Sequence, residues 1–65
     1  MRLALYMDMD NASFHDGESN GQEVARILRF ISGTVDGMEL AEGDEYAIGD
    51  RNGNKVGRMR VFEHH

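Results

Sequence analysis

The sequence predicts an α+β fold with the element order β-α-β-β, in which one helix packs on a three-stranded, mainly antiparallel sheet. Three patterns support this prediction: apolar alternation near the start of the chain, helical periodicity in its middle, and a β-hairpin over residues 43–63. The strand order 1-3-2 is favoured, because inserting the third strand between the first two makes every neighbouring pair antiparallel.

The first strand is predicted where large apolar residues alternate with smaller ones and a pair of aspartates then follows. Leu3, Leu5 and Met7 share one side of this strand and are expected to face the core. A polar, turn-rich loop over residues 11–20 comes next. Its one large apolar residue, Phe14, is expected to anchor the loop to the core.

The helix is predicted to start near Gly21, because Asn20 and Glu23 have the spacing of a capping box. Gly37 is the expected C-terminal stop. Gly33 lies inside the helix and should cost about 1 kcal/mol relative to alanine, so the last turn is expected to fray. The apolar stripe that should face the sheet consists of Val24, Ile27, Leu28, Ile31 and Val35.

The hairpin is predicted around Asn52-Gly53, a pair that favours a two-residue type I′ turn because both central positions need positive φ. Counting outward from this turn places Glu45 opposite Arg60 on one face. A one-residue slip would put apolar side chains among charges, so the pattern specifies its own register. The face expected in the core collects Tyr46, Ile48, Met59 and Val61.

The chain has 65 residues, no cysteine and a net charge of −5. One small domain over residues 1–63 is predicted, and without disulfides its stability should be marginal. A homodimer is weighed evenly against a monomer. A basic-plus-apolar leader and a long apolar run are both missing, which predicts a cytoplasmic protein without membrane contact. His64 and His65 are interpreted as a remnant of a purification tag.

The sheet face that the helix leaves uncovered is predicted to contain partner-binding residues. Aromatic and arginine side chains are enriched where proteins meet partners, which makes Tyr6, Arg58, Arg60 and Phe62 the candidates. Two other interpretations stay open: the arginine stems shield the aromatic rings, or the face stacks single-stranded bases. The acidic net charge disfavours nucleic acid. The whole predicted face comprises Ala4, Tyr6, Ala47, Val56, Arg58, Arg60 and Phe62.

Asp8 and Asp10 are weak candidates for a metal site, since carboxylates that follow a strand can hold Mg²⁺ in phosphoryl-transfer enzymes. Asx turns are the preferred interpretation of both. Residues 50–54 have the oxygen donors of a calcium loop, but Lys55 replaces the required glycine and Val61 the bidentate glutamate. The sequence therefore predicts no catalytic residue, no metal and no cofactor.

Three blocks spread along the chain resemble a group of small uncharacterised proteins from phages and bacterial genomes. The blocks are Asp8-x-Asp10-Asn11-Ala12-x-Phe14, the run EVARILR over residues 23–29, and Asp50-x-Asn52-Gly53-Asn54-x-Val56-Gly57. This resemblance implies a phage or prophage context and no particular activity or ligand. Residues 38–49 are longer and more acidic than the pattern, and Phe30 stands where a polar helix residue is expected.

The leading hypothesis is a non-enzymatic accessory protein of phage or prophage type that acts through protein contacts, made by the uncovered sheet face or an exposed strand edge. One alternative is a small nucleic-acid-binding module on the open face. The other is metal-dependent phosphoryl transfer at Asp8 and Asp10. The opening strand also resembles that of NYN-type nucleases, but the likeness stops at Phe14.

Overall fold

The computed structural model describes residues 1–15, 17 and 19–63. Within these residues the strands form one three-stranded sheet in the order β1-β3-β2, and both neighbouring pairs are antiparallel. The predicted fold class and strand order are confirmed, whereas the prediction for His64 and His65 falls outside the described residues. The elements are β1 (Arg2–Met7), a 3-10 helix (Ala12–Phe14), α1 (Asn20–Val35), β2 (Glu45–Gly49) and β3 (Lys55–Phe62).

The register of the hairpin is the predicted one over most of β2. Glu45 faces Arg60, and Tyr46 faces Met59. On the other side of β3, Leu5 of β1 also faces Met59. The apolar alternation therefore aligned the strands as expected, because one face of this sheet has to be buried.

The turn between β2 and β3 differs from the predicted type I′ turn. Gly53 has a φ of +82°, but among the described residues only glycines have positive φ, so Asn52 does not. The Gly53 N–H donates to the Asp50 carbonyl at 3.1 Å, and the Asp50 N–H donates to the Asn54 carbonyl at 2.9 Å. The Asp50 Oδ1 also accepts the N–H groups of Asn52 and Asn54, each at 2.9 Å. These carboxylate bonds stabilise a longer loop than the two-residue turn.

A β-bulge moves Val56 away from its predicted position on the open face. The register shifts near the end of β2, so that Gly49 faces Lys55 instead of Val56. Val56 consequently turns into the core and is 4% exposed. The prediction assumed unbroken alternation, which an extra residue in one strand interrupts. Gly57 is required here, because a Cβ at this position would collide with the backbone carbonyl of Tyr6.

Helix α1 begins one residue earlier than predicted. Ser19 is the N-cap residue, and its Oγ accepts the Gln22 N–H at 3.3 Å, so the capping role expected of Asn20 belongs to Ser19. Glu23 does not close a capping box and instead lies inside the protein, 5% exposed. Gly37 has a φ of +84° and follows the end of the helix, as predicted.

The core lies between α1, the 3-10 helix and the sheet. Phe14 is 1% exposed, which confirms its predicted anchoring role, and burying a side chain of this size is worth about 1.5–3 kcal/mol. The buried cluster consists of Phe14, Ile27, Ile48, Val56 and Met59, with Met7, Val24, Ile31, Val35 and Tyr46 packed against it in part.

Three leucines that were predicted to face the core remain exposed. Leu3, Leu5 and Leu28 keep 53%, 37% and 44% of their surface in solvent. Since one helix is too narrow to cover three strands, part of the predicted apolar face is left open.

Candidate functional site

The candidate residues of the open sheet face do lie together. In the β1–β3 register Tyr6 faces Arg58, while Arg60 and Phe62 follow at alternate positions of β3. Tyr6 is 57% exposed and Phe62 is half-buried. Because residues two apart point to the same side of a strand, these four side chains share one surface.

Arg58 is held in place by two neighbours on this open face. Its guanidinium carbon lies 5.8 Å from the centroid of the Tyr6 ring, within the range of a cation–π interaction. Its Nη1 lies 3.6 Å from Oε1 of Glu45. Glu45 lies directly opposite Arg60, as predicted, but its ion pair is with the diagonal neighbour Arg58. Arg58 thus lies over one face of the Tyr6 ring, while Tyr6 keeps 57% of its surface in solvent.

The opposite side of β1 is a second exposed surface, and the sequence did not predict it. Leu3 and Leu5 lie opposite Val61 and Met59. Val61 and Met59 are only 2% and 4% exposed, yet both leucines are exposed. The helix lies over the other half of the sheet, where its residues border a groove together with residues of β2 and β3. That groove is lined in part by Ile27, Ile31, Val35, Tyr46, Ile48 and Met59.

The backbone of β1 is also open along its outer edge. Among the described residues β1 pairs only with β3. The Asp8 N–H donates to the Val56 carbonyl, so these two facing residues form a hydrogen-bonded pair. Hydrogen-bonded and non-hydrogen-bonded pairs alternate along an antiparallel ladder, so the even-numbered residues of β1 are the ones that bond to β3. The N–H and C=O groups of Leu3, Leu5 and Met7 therefore point outward from the sheet.

The outer edge of β2 borders the groove against α1. This groove has a volume of about 200 Å³, and its rim includes Phe30 and Met38, which are 70% and 39% exposed. Phe30 stands where a polar helix residue was expected, and its side chain is exposed. The described part of the chain therefore exposes apolar side chains beside both sheet edges.

A buried polar cluster joins the 3-10 helix, α1 and the hairpin loop. The hydroxyl of Ser13, a residue 1% exposed, donates to Oδ2 of Asp50 at 3.1 Å. Glu23 accepts bonds from Nε and Nη2 of Arg26 at 2.8 and 3.2 Å, and from the N–H of Arg51 at 3.5 Å. Within the described residues every buried side-chain nitrogen and oxygen has a partner. The cluster therefore serves to hold these three elements together.

Hydrogen bonds keep both carboxyl groups of this cluster ionised. The Arg26 guanidinium lowers the pKa of Glu23 by more than burial raises it. Burial also raises the pKa of Asp50, but bonds from the N–H groups of the loop and from the Ser13 hydroxyl outweigh it and lower that pKa. A general acid must hold a proton near neutral pH, which neither group does.

The two aspartates after β1 have a local structural role. Asp8 Oδ1 accepts the N–H of Asp10 at 3.0 Å, which is the Asx turn that the sequence favoured. Both residues are exposed. Across residues 1–15, 17 and 19–63, no group of three or more histidine, cysteine, aspartate or glutamate side chains is placed to hold a metal ion.

Comparisons with protein-family models, curated proteins and solved structures find no match for this chain. In the part of the chain that the structure describes, no helix has the length and apolar character needed to cross a membrane.

Proposed function

We propose that this chain is a non-enzymatic accessory protein that acts by binding protein, and that strand β1 is its contact site. The observation that carries this proposal is the coincidence of two features in one strand. The outward backbone groups of β1 lie beside the exposed side chains of Leu3 and Leu5. The phage or prophage context suggested by the sequence blocks belongs to the same proposal.

An edge strand of this kind is normally protected, because its open N–H and C=O groups can pair with any extended chain. The usual protection consists of lysine, proline, a bulge or a covering loop, whereas Leu3-Ala4-Leu5 contains no charged residue and no proline. In β-strand addition, backbone bonds supply affinity and alternate side chains supply selectivity. The alternate side chains of β1 on the helix side are apolar, so they favour an apolar partner strand.

A nucleic-acid role on the open face has less support. Base stacking needs a free aromatic face, and the guanidinium of Arg58, which pairs with Glu45, already lies over one face of the Tyr6 ring. Titration with labelled single-stranded DNA and RNA at low salt tests this alternative. Saturable binding that weakens with added salt would replace the protein-binding proposal by the nucleic-acid one.

The proposal is tested by capture from a lysate of the native host, with purified protein immobilised through its C-terminal end. Leu5→Lys places a charge at the centre of the β1 edge. Phe30→Lys is the matched control, because it also exchanges an exposed apolar residue for a charge but lies beside the β2 groove. We expect Leu5→Lys to lose the captured proteins and Phe30→Lys to keep them.

Amide NMR spectra should confirm that both variants keep the wild-type fold. Retention of every captured protein by folded Leu5→Lys would contradict a role for the β1 edge. If Phe62→Ser loses them instead, the open sheet face is the contact site.

A further inference from the structure

We infer that the partner of the β1 edge is a second copy of the same strand, so that two chains form a symmetric dimer with one continuous sheet. This inference rests on the proposed function and names its partner. Antiparallel pairing of two β1 strands would join two three-stranded sheets into one of six strands. Both helices would then lie on the same side of the joined sheet, because facing residues of an antiparallel pair point to the same side.

The ladder geometry restricts the register of such a pair. Only the odd-numbered residues of β1 direct their backbone groups outward, so odd residues must face odd residues across the twofold axis. Centring the axis on Leu5 satisfies this rule and places Leu3 opposite Met7 of the second copy. The pairs would make about six hydrogen bonds, two for each facing odd-numbered pair. The side chains of these facing residues would also form one apolar row between the two helices.

Charge complementarity selects this register over its neighbour. With Leu5 on the axis, Arg2 of each copy faces Asp8 of the other, and both residues are exposed. With Ala4 on the axis instead, Arg2 would face Tyr6 and Asp8 would have no facing residue within β1. Two symmetric arginine–aspartate pairs therefore favour the Leu5-centred pairing over the Ala4-centred one.

The edge of β2 is a poorer site for self-pairing. Its outward residues are the odd-numbered ones, so the corresponding axis passes through Ala47. That arrangement would place Glu45 opposite Gly49 of the second copy at both ends of the strand. The β2 edge therefore gains no pair of opposite charges, whereas the β1 edge gains two.

A cysteine scan of β1 tests both the pairing and its register, since the chain has no cysteine of its own. Facing hydrogen-bonded residues have Cα atoms about 5.5 Å apart, a separation that a disulfide can bridge. Leu5→Cys should therefore form a disulfide-linked dimer under mild oxidation. Ala4→Cys should not, because in this register the two introduced thiols are offset along the strands.

A charge exchange tests the same dimer without a covalent link. Arg2→Asp or Asp8→Arg alone turns both attractive pairs into repulsive ones and should weaken dimerisation about tenfold in sedimentation equilibrium. The double variant restores opposite charges and should recover wild-type affinity. Linkage of Ala4→Cys in place of Leu5→Cys would overturn the register. Linkage of neither, together with a monomer in sedimentation equilibrium, would overturn self-pairing.

These results separate the dimer from the broader proposal. A chain that stays monomeric by sedimentation and forms no Leu5→Cys disulfide, yet loses host proteins on Leu5→Lys, binds a different partner through the same edge. Failure of both the disulfide and the Leu5-dependent capture would remove the dimer and the contact site together.

Discussion

Ser13 and Asp50 are separated by 37 positions in the chain and meet in a buried hydrogen bond. This contact links the loop after β1 to the hairpin loop, and it contributes to keeping Asp50 ionised. A serine in a polar loop looks interchangeable in sequence, and no spacing rule connects it to a turn aspartate so far away. The burial of Ser13 shows that its hydroxyl is part of the fold.

Replacing Ser13 by alanine should destabilise the protein by about 1 kcal/mol, because one hydrogen bond to a buried carboxylate is lost while its other bonds remain. The free energy of unfolding in urea measures this effect. Ser32→Ala is the matched control, since Ser32 is exposed on α1 and its change should stay within about 0.5 kcal/mol. Equal stability of the Ser13 and Ser32 variants would show that the buried bond contributes nothing.

At the scale of elements, the predicted register of the hairpin was right although the predicted turn type was wrong. Alternation of apolar residues aligned β2 with β3, while the loop adopted the conformation that the Asp50 carboxylate stabilises. Only Gly53 carries the positive φ within that loop. Gly33 in α1 is the opposite case, because a Cβ added at this position would meet no atom within 4 Å and its φ is not positive.

The same substitution should therefore have opposite effects at these two glycines. Gly53→Ala should destabilise the protein by about 1–2 kcal/mol, since alanine is strained at a φ of +82°. Gly33→Ala should stabilise it by about 0.5–1 kcal/mol through helix propensity. Thermal unfolding of the two variants beside the wild type compares them directly. A neutral Gly53→Ala would show that the loop relaxes into another turn.

At the scale of the whole molecule, a single small core carries the fold, and a domain of this size has little stability in reserve. Two ionised carboxyl groups join the elements around that core: Glu23 of α1 accepts the N–H of Arg51 in the hairpin loop, and Asp50 of that loop accepts the hydroxyl of Ser13. Their contribution depends on pH because protonation removes the charge-assisted hydrogen bonds.

The free energy of unfolding should fall in acid. Both folded pKa values lie below the ordinary values of 4.5 for Glu23 and 3.8 for Asp50, so their stabilisation is complete above those values. It is lost progressively as the pH falls from there through the lowered pKa values. Urea unfolding between pH 7 and pH 3 follows this loss.

The double variant Glu23→Gln and Asp50→Asn should start less stable and show a shallower acid dependence. The exposed pair Glu39→Gln and Glu42→Gln serves as the control and should keep the wild-type slope. A wild-type slope in the buried double variant would mean that other groups govern the acid response.

The sequence by itself determined the α+β class and most of the hairpin register, because periods of two and 3.6 residues bring apolar side chains to one face. It favoured the strand order 1-3-2, which the structure then confirmed. It also identified the open face with Tyr6 and Arg58. Only the tertiary structure decided that a bulge buries Val56 and that the helix covers β2 and β3 while leaving Leu3 and Leu5 exposed. Local patterns specify which side of each strand is apolar, but where one helix lies across three strands depends on packing between distant segments.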